Sequence, residues 1–537
     1  MIKGPPYLRH GTDVPRDPIS IGIGIISAVE AVTTVAIGFE LASVVGYVAI
    51  GAAVIGANYA LAAINKPKIG DPTSSGIGSA ITINSPEARG NVQQSAPIQR
   101  WIYGSVRAGG AVSFIDDSRP PYLYLQTLLS ARQISGVRGL HISTNDIALT
   151  SFAFDQILQP LAVGGQVYIK DGVSRLVMAF GAGGDDQGIC PLLHADFPNI
   201  ETSFRQRGTA RATFRFKFGD DIDDFQKMWG QGVSIPSPLI DVDGAPVYDP
   251  RDPAQRYPTD WRDAEDVADA MATWKFHREG RSVGRIAALV QADWLGHPDG
   301  VNHPAGRIRW DEIGRAADFD EDRGHTIDGE VTLDQNPRTV MEAMLTANRG
   351  FVVRGRGYGW LMSSQPREPV ITIDDDLLMG GFEFQADRFK AELVNTVRSR
   401  FSSADREYQD VDGPVIARDD LIAADGEVFT KTVRMPYTSD SDQVQILANQ
   451  YLDEARLKRT LTCNVKLRAL ADDIKEGEIA RVFSKIFPQI NGDYSIEKLG
   501  FLDDLSGLSL GLREYDAGIS VRHYELKPFT LPALTVS

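Results

Sequence analysis

The run ARATFRFKF at residues 210–218 decides the reading of the fold. Phe214, Phe216 and Phe218 alternate with Thr213, Arg215 and Lys217. That is the period of a strand with one face buried and the other wet. Similar runs lie on both sides of it. N-terminal to it they fall at 98–115 (IQRWIYGSVRAGGAVSFI, with a glycine turn at Ala108-Gly109-Gly110), 121–129, 137–142, 166–170 and 173–180. C-terminal to it, Leu461, Cys463, Val465 and Leu467 alternate with Thr462, Asn464, Lys466 and Arg468. Residues 350–362 (GFVVRGRGYGWLM) read as a hairpin with a glycine-rich turn, and 381–401 and 476–527 return to strand and turn. Short strands at this spacing read as antiparallel β-structure.

Two stretches have helical period instead. Between 281 and 348, Val283, Ile286, Ala287 and Val290 share one face, and Asn336-Pro337 supplies a cap and a first-turn proline ahead of Val340, Met341, Met344 and Leu345. The run 443–458 (QVQILANQYLDEARLK) places Val444, Leu447, Ala448, Tyr451 and Ala455 on one side. Between them and the β runs lies 236–280, with nine acidic side chains from Asp241 to Asp269 against three arginines. Its composition argues for a long surface excursion that its two tyrosines and a tryptophan dock on a neighbour. The fold expected is mainly β with inserted helices, a multidomain set of small barrels or sandwiches, plus an N-terminal apolar α-helical hairpin. The organisation expected is an extended arm (1–19), a hydrophobic helical segment (20–64), a Gly/Ser/Pro linker (65–97), a first β domain (98–235), the acidic excursion (236–280), an α/β insertion (281–380), a second β domain with a helix (381–475) and a C-terminal β domain (476–537).

The chain has 537 residues, enough for roughly two to four domains. Its net charge is −16, and residues 1–100 contribute almost none of it. The acidic excess therefore sits on the body, which argues against a nucleic-acid binder needing clustered Lys and Arg. Cys190 and Cys463 are the two cysteines and read as buried thiols of a reducing compartment.

Catalytic patterns are weak. Paired acids at Asp185-Asp186, Asp223-Asp224, Asp374-Asp375-Asp376 and Asp503-Asp504 are adjacent on turns, whereas a hydrolase holds separated carboxylates across a cleft. His297, Asp299 and His303 are interrupted by Pro298, Gly300 and Pro304 and match no zinc spacing. The glycine cluster GAGGDD at 181–186 lacks the Lys-Ser/Thr of a phosphate loop. The expectation is a non-enzyme with no cofactor and no metal.

Residues 20–64 are of a different kind. They carry two charges, Glu30 and Glu40, and from Leu41 to Ile64 there is none, over a length that crosses a bilayer as one helix. Gly46, Gly51 and Gly56 with neighbouring alanines make a small-residue surface that lets helices approach closely. A secretory signal fits badly, because Asp13 and Asp17 precede a run far longer than one short apolar core. A resident anchor, a segment stored in protein until release, and a buried pair of core helices (20–39 and 41–64) all fit. In each case the segment needs cover from water. The membrane- or lumen-facing residues expected are Leu41, Val44, Val45, Gly46, Val48, Ile50, Gly51, Val54, Ile55, Gly56, Leu61 and Ile64.

Several stretches, in order, resemble one family. They are APIQRWIYGSVRAGGAVSFI (96–115), APVYDPRDP (245–253), SVGRIAALVQADWLGHP (282–298), GYGWLMSSQPREPVITIDDDLLMGGFEFQ (357–385), KAELVNTVRSRFSSADREYQ (390–409), the helix at 443–458 and TLTCNVKLRAL (460–470). The set, covering roughly 96–525, is similar to the central hub of a long-tailed bacteriophage tail tip, of the lambda host-specificity protein J type. The resemblance implies a homotrimer whose β-domains form a pseudo-sixfold ring at the virion tail tip, assembled in the host cytoplasm and reaching the host envelope on infection. It implies as partners the distal tail protein, tail tube, tape-measure protein, other tip proteins, and a tail fibre or receptor-binding protein, with genomic DNA passing through. Such hubs often continue into a distal receptor-binding part, which this sequence does not show, so receptor binding is expected of another protein. The competing classes are a tail-associated peptidoglycan hydrolase and a membrane-anchored β-domain protein.

Overall fold

The computed structural model describes residues 97–529, apart from 143–144, 150–152, 160–167, 171–172, 218–236, 356–357, 387–392, 407, 473 and 504. The N-terminal apolar segment, all twelve residues singled out in it, Phe218 and the Asp223-Asp224 pair lie outside the described residues. The described chain is mainly β, with several sheets and a few helices.

The first unit is built around the strand Ala210–Lys217. It lies in a four-stranded antiparallel sheet in the order Ala111–Arg119, Tyr122–Ser130, Ala210–Lys217, Leu176–Gly181. A second sheet runs Ser105–Ala108, Leu239–Asp243, Gly136–Ile142, Asn145–Ala148. Leu125, Leu176, Met178, Phe214 and Phe216 of the first meet Val106, Leu140, Ile240 and Val242 of the second in one buried core, as in a β-sandwich. Phe214 and Phe216 point inward as their alternation predicts. The opposite face is not simply wet, because Arg211 and Thr213 are also buried. The short helix Pro191–Asp196 covers that side, with Leu192, Leu193 and Cys190 packed on Tyr124, Val177 and Ala179.

The second unit is mostly helical. Helix Ala287–Gly296 is buried on every side, the pattern of a central core helix. Helices Trp310–Arg323 and Pro337–Met344 pack around it with Trp101, Tyr103, Val247 and Val331. The Asn336 side chain accepts from Arg338 N, so the Asn-Pro start forms as expected. The strand Arg100–Tyr103 pairs here with Gly329–Thr332, which stitches the start of the described chain into this core.

The acidic stretch 236–280 departs from the expected surface excursion. Ile240 and Val242 sit inside the sandwich, and Ala245, Val247 and Asp249 are fully buried. Part of its negative charge is matched internally, with Arg251 and Arg278 both paired to the buried Asp249, whereas Asp260, Asp263, Glu265 and Asp269 are exposed as expected. The docking part of the expectation holds, since Tyr248 and Tyr257 pack against Trp274 and Trp310.

Two further cores follow. The strands Gln409–Ala417, Thr396–Ser403 and Thr430–Met435 form a sheet covered by helix Ser441–Ala455, whose Val444, Leu447, Ala448 and Leu452 meet Val397 and Phe401. A six-stranded sheet runs Pro369–Asp374, Ile479–Phe483, Gly492–Phe501, Gly507–Glu514, Thr460–Lys466, Leu378–Gln385. Leu461, Cys463 and Val465 are buried in it as their alternation predicts, whereas Leu467 lies past the strand end and is exposed. The hairpin Phe351–Gly355 with Tyr358–Met362 forms as read. Both cysteines are buried and unpaired, and burial pushes the Cys463 thiol up to about 12.

Candidate functional site

The first two units are joined by buried charges. Arg132 follows the strand Tyr122–Ser130, and Asp293 sits on the buried helix Ala287–Gly296. Arg132 Nη2 donates to Asp293 Oδ1 at 2.9 Å, and Arg132 Nη1 donates to the Tyr103 hydroxyl at 3.0 Å. The guanidinium also lies over the Trp101 ring, 5.0 Å from its centroid. Burial alone would lower the Arg132 pKa, and the Asp293 carboxylate reverses this and raises it. Burial would raise Asp293, and Arg132 outweighs it and holds the carboxyl below its ordinary value. The pair is therefore ionised in an interior where either charge alone is costly.

Asp328 is a second fastening point. Arg285 donates to both of its oxygens, at 2.8 and 2.7 Å. Ser105 N donates to Oδ1 at 2.8 Å, and the Ser439 hydroxyl bonds to Oδ2. One carboxylate thus holds the sandwich, the helical unit and the loop before helix Ser441–Ala455. Gly104, with φ +66, makes this possible, because a Cβ there would lie 2.0 Å from Ile327 O. A third network is centred on Asp320, which accepts from Ala288 N at 2.9 Å and from Asn348 Nδ2 at 2.8 Å and bonds to His325 and Ser363. Gln443 carries it to helix Ser441–Ala455 by donating to Ala347 O at 2.7 Å.

Of the residues considered for chemistry, His297 and Asp299 are neighbours, with Asp299 N donating to His297 Nδ1 at 3.2 Å and a carboxylate oxygen 3.8 Å away. His297 caps the end of the buried helix, with its ring against Trp101 and Trp261. Burial, then Arg132, depresses its pKa to about 3, so it is neutral at pH 7. His303 Nε2 pairs with Arg307 O at 3.3 Å, away from Asp299. Asp375 accepts from Lys485 N at 2.8 Å and bonds Ser484, which pins a loop. Among the described residues, no cluster of three or more His, Cys, Asp or Glu has metal-holding geometry, and no helix is long and apolar enough to cross a membrane.

A cleft of about 460 Å³ opens where the sandwich meets the helical unit. Its walls include Gln133, Phe154, Asp155, Asp186, Trp274 and Phe276. The GAGGDD loop forms one side. Gly183, with φ +88, lets that loop lie against the strand Ala210–Lys217, since a Cβ would sit 2.7 Å from Ala210 N. Asp155 is tied to Arg211 at 2.7 Å and to Gly188 N at 2.9 Å. Asp186 is exposed and has no hydrogen-bond or ion-pair partner among the described residues.

The joining residues were not singled out in the sequence, although one signal was present. In IAALVQADWLG, Gln291 and Asp293 are the polar members of an otherwise apolar helical run. Polar groups inside such a run need buried partners.

No protein-family model and no curated protein matches the sequence. Among solved structures, a chain of "Virion of native gene transfer agent (GTA) particle" aligns over 90% of this chain and 99% of that one, at 16% identity and a TM-score of 0.54. The fold is that of a virion-particle chain. Weaker overlaps are found with the prophage MuSo2 43 kDa tail protein from Shewanella oneidensis (7% identity, 80% and 98% covered, TM-score 0.30) and with the tail protein from Neisseria meningitidis MC58 (10%, 79% and 93%, TM-score 0.28).

Proposed function

We propose that this chain is the structural hub of a bacteriophage-type tail tip and not an enzyme. The observation that carries the reading is the near end-to-end fold likeness to a chain of a gene transfer agent virion. The buried ion pairs and shared carboxylates agree with it, because they join the first cores into a stiff body suited to transmitting load. In this reading three copies surround the tail axis at the virion tip. They join the sixfold distal tail protein and tail tube to threefold tip components and to a fibre or receptor-binding protein. The tape-measure protein ends within the ring, and genomic DNA passes without specific binding, helped by an acidic wall that repels phosphate. Residues 41–64 stay covered in the particle and enter the host membrane on ejection. A reconstruction of the assembled particle tests the hub role. Three copies contacting a ring of six are expected, and any other copy number, or a channel wall lined by Arg and Lys, overturns this arrangement.

A further inference from the structure

We propose that the cleft between the sandwich and the helical unit receives a basic side chain, lysine or arginine, presented by a protein partner. Charge gives the first argument. Among the described residues that line the cleft none is cationic, and two are carboxylates. Asp155 is already matched by Arg211, but Asp186 is not matched by any described residue. The Gln133 amide beside it likewise has no partner among the described residues and supplies a carbonyl acceptor.

Shape gives the second argument. Ile134, Phe154, Pro246, Trp274 and Phe276 make the apolar part of the lining, which suits the aliphatic stem of a long basic residue while its head reaches Asp186. A neutral occupant would cover the Asp186 carboxylate without replacing its water, at a cost. Calcium takes about six to eight oxygen ligands, whereas the unmatched side-chain oxygens of the described lining are those of Asp186, Gln133 and Ser135. The −16 net charge of the chain draws a basic surface toward the site. The cleft is large enough for a side chain and far too small for a folded element, so the carrier's backbone stays outside. That the carrier is another particle protein rests on the function proposed above, and the cation recognition itself does not.

The test uses the full chain and small probes. Saturation-transfer NMR titrations would compare N-acetyl-arginine amide and N-acetyl-lysine amide with the neutral N-acetyl-citrulline and N-acetyl-norleucine amides. Saturable binding of the basic probes is expected. It should weaken roughly five- to tenfold in Asp186→Asn and less than about twofold in Asp185→Asn, the exposed neighbour outside the cleft lining. Thermal unfolding should be the same for both variants. Equal weakening by the two variants would mean diffuse surface charge and overturn the site. Equal binding of the neutral probes, displacement by millimolar calcium, or no saturable binding would each overturn it as well. None of these outcomes changes the copy number seen in the particle, so the two readings fail separately.

Discussion

Arg132 and Asp293 lie 161 residues apart and meet in the interior with a direct bidentate contact. Removing one partner leaves the other charged and buried. Asp293→Leu or Arg132→Met alone should therefore destabilise by about 3–5 kcal/mol. The double variant Arg132→Met/Asp293→Leu should cost less than either single change, because no stranded charge remains. Chemical unfolding of the four proteins closes the cycle, and additive losses would show that the two groups do not act as a pair. Tyr103 belongs to the same triad, and burial, reinforced by Asp293, holds its hydroxyl well above the ordinary tyrosine value. The sequence marks Asp293 as a polar intruder in an apolar helix, but the partner is invisible there, since nothing local ties residue 132 to residue 293.

At the scale of elements, local pattern and long-range pairing separate cleanly. The alternation in 210–217, the Asn336-Pro337 start and the hairpin at 351–362 depend on near neighbours, and each is readable in the sequence. The strand Leu239–Asp243 is hidden because it enters between Ser105–Ala108 and Gly136–Ile142, and its acids find cations contributed by distant segments. His141 shows how such a sheet is clamped. It bridges Asp241 on one neighbouring strand and Asp146 on the edge strand Asn145–Ala148, at 2.6 and 2.5 Å. Burial would depress the His141 pKa, but the bonds to Asp241 and Asp146 outweigh it and raise it above 6.5. Asp241, despite burial, is held down to about 2 by His141 and Arg107. A raised histidine stabilises fully below its unfolded value and loses that contribution as pH climbs through the folded one. A depressed aspartate stabilises above its unfolded value and loses that as pH falls toward about 2. The clamp is thus strongest from about pH 4 to 6.5. Amide exchange at 145–148, corrected for intrinsic rate, should speed up between pH 6 and pH 9 in the native protein. In His141→Gln it should be uniformly faster with no such step, and a step that survives the substitution would place the titration elsewhere.

For the whole molecule, the question is why an acidic, water-compatible body carries a charge-free run at 41–64. Exposed in solution, that run would drive association. Under the role proposed above, sequestration in an assembled particle removes that cost until the assembly opens, and a bilayer is then the nearest apolar phase. The small residues Gly46, Gly51 and Gly56 fit helix against helix in that phase. Among the described residues, the cores are built from Ile102 and Trp101 onward, and Asp328 and Asp320 fasten them to one another. Deleting 41–64 should therefore leave the isolated body folded, with an unfolding midpoint within a few degrees of the parent, and should leave tails assembled. DNA delivery should fall by orders of magnitude. A substitution series separates membrane entry from simple packing: Val48→Asp and Ile55→Asp, which charge the run without shortening it, should block delivery while assembly proceeds. Assembly failure with either aspartate would mean that the run is a permanent part of the particle core, and undiminished delivery by the deletion would remove the membrane role altogether.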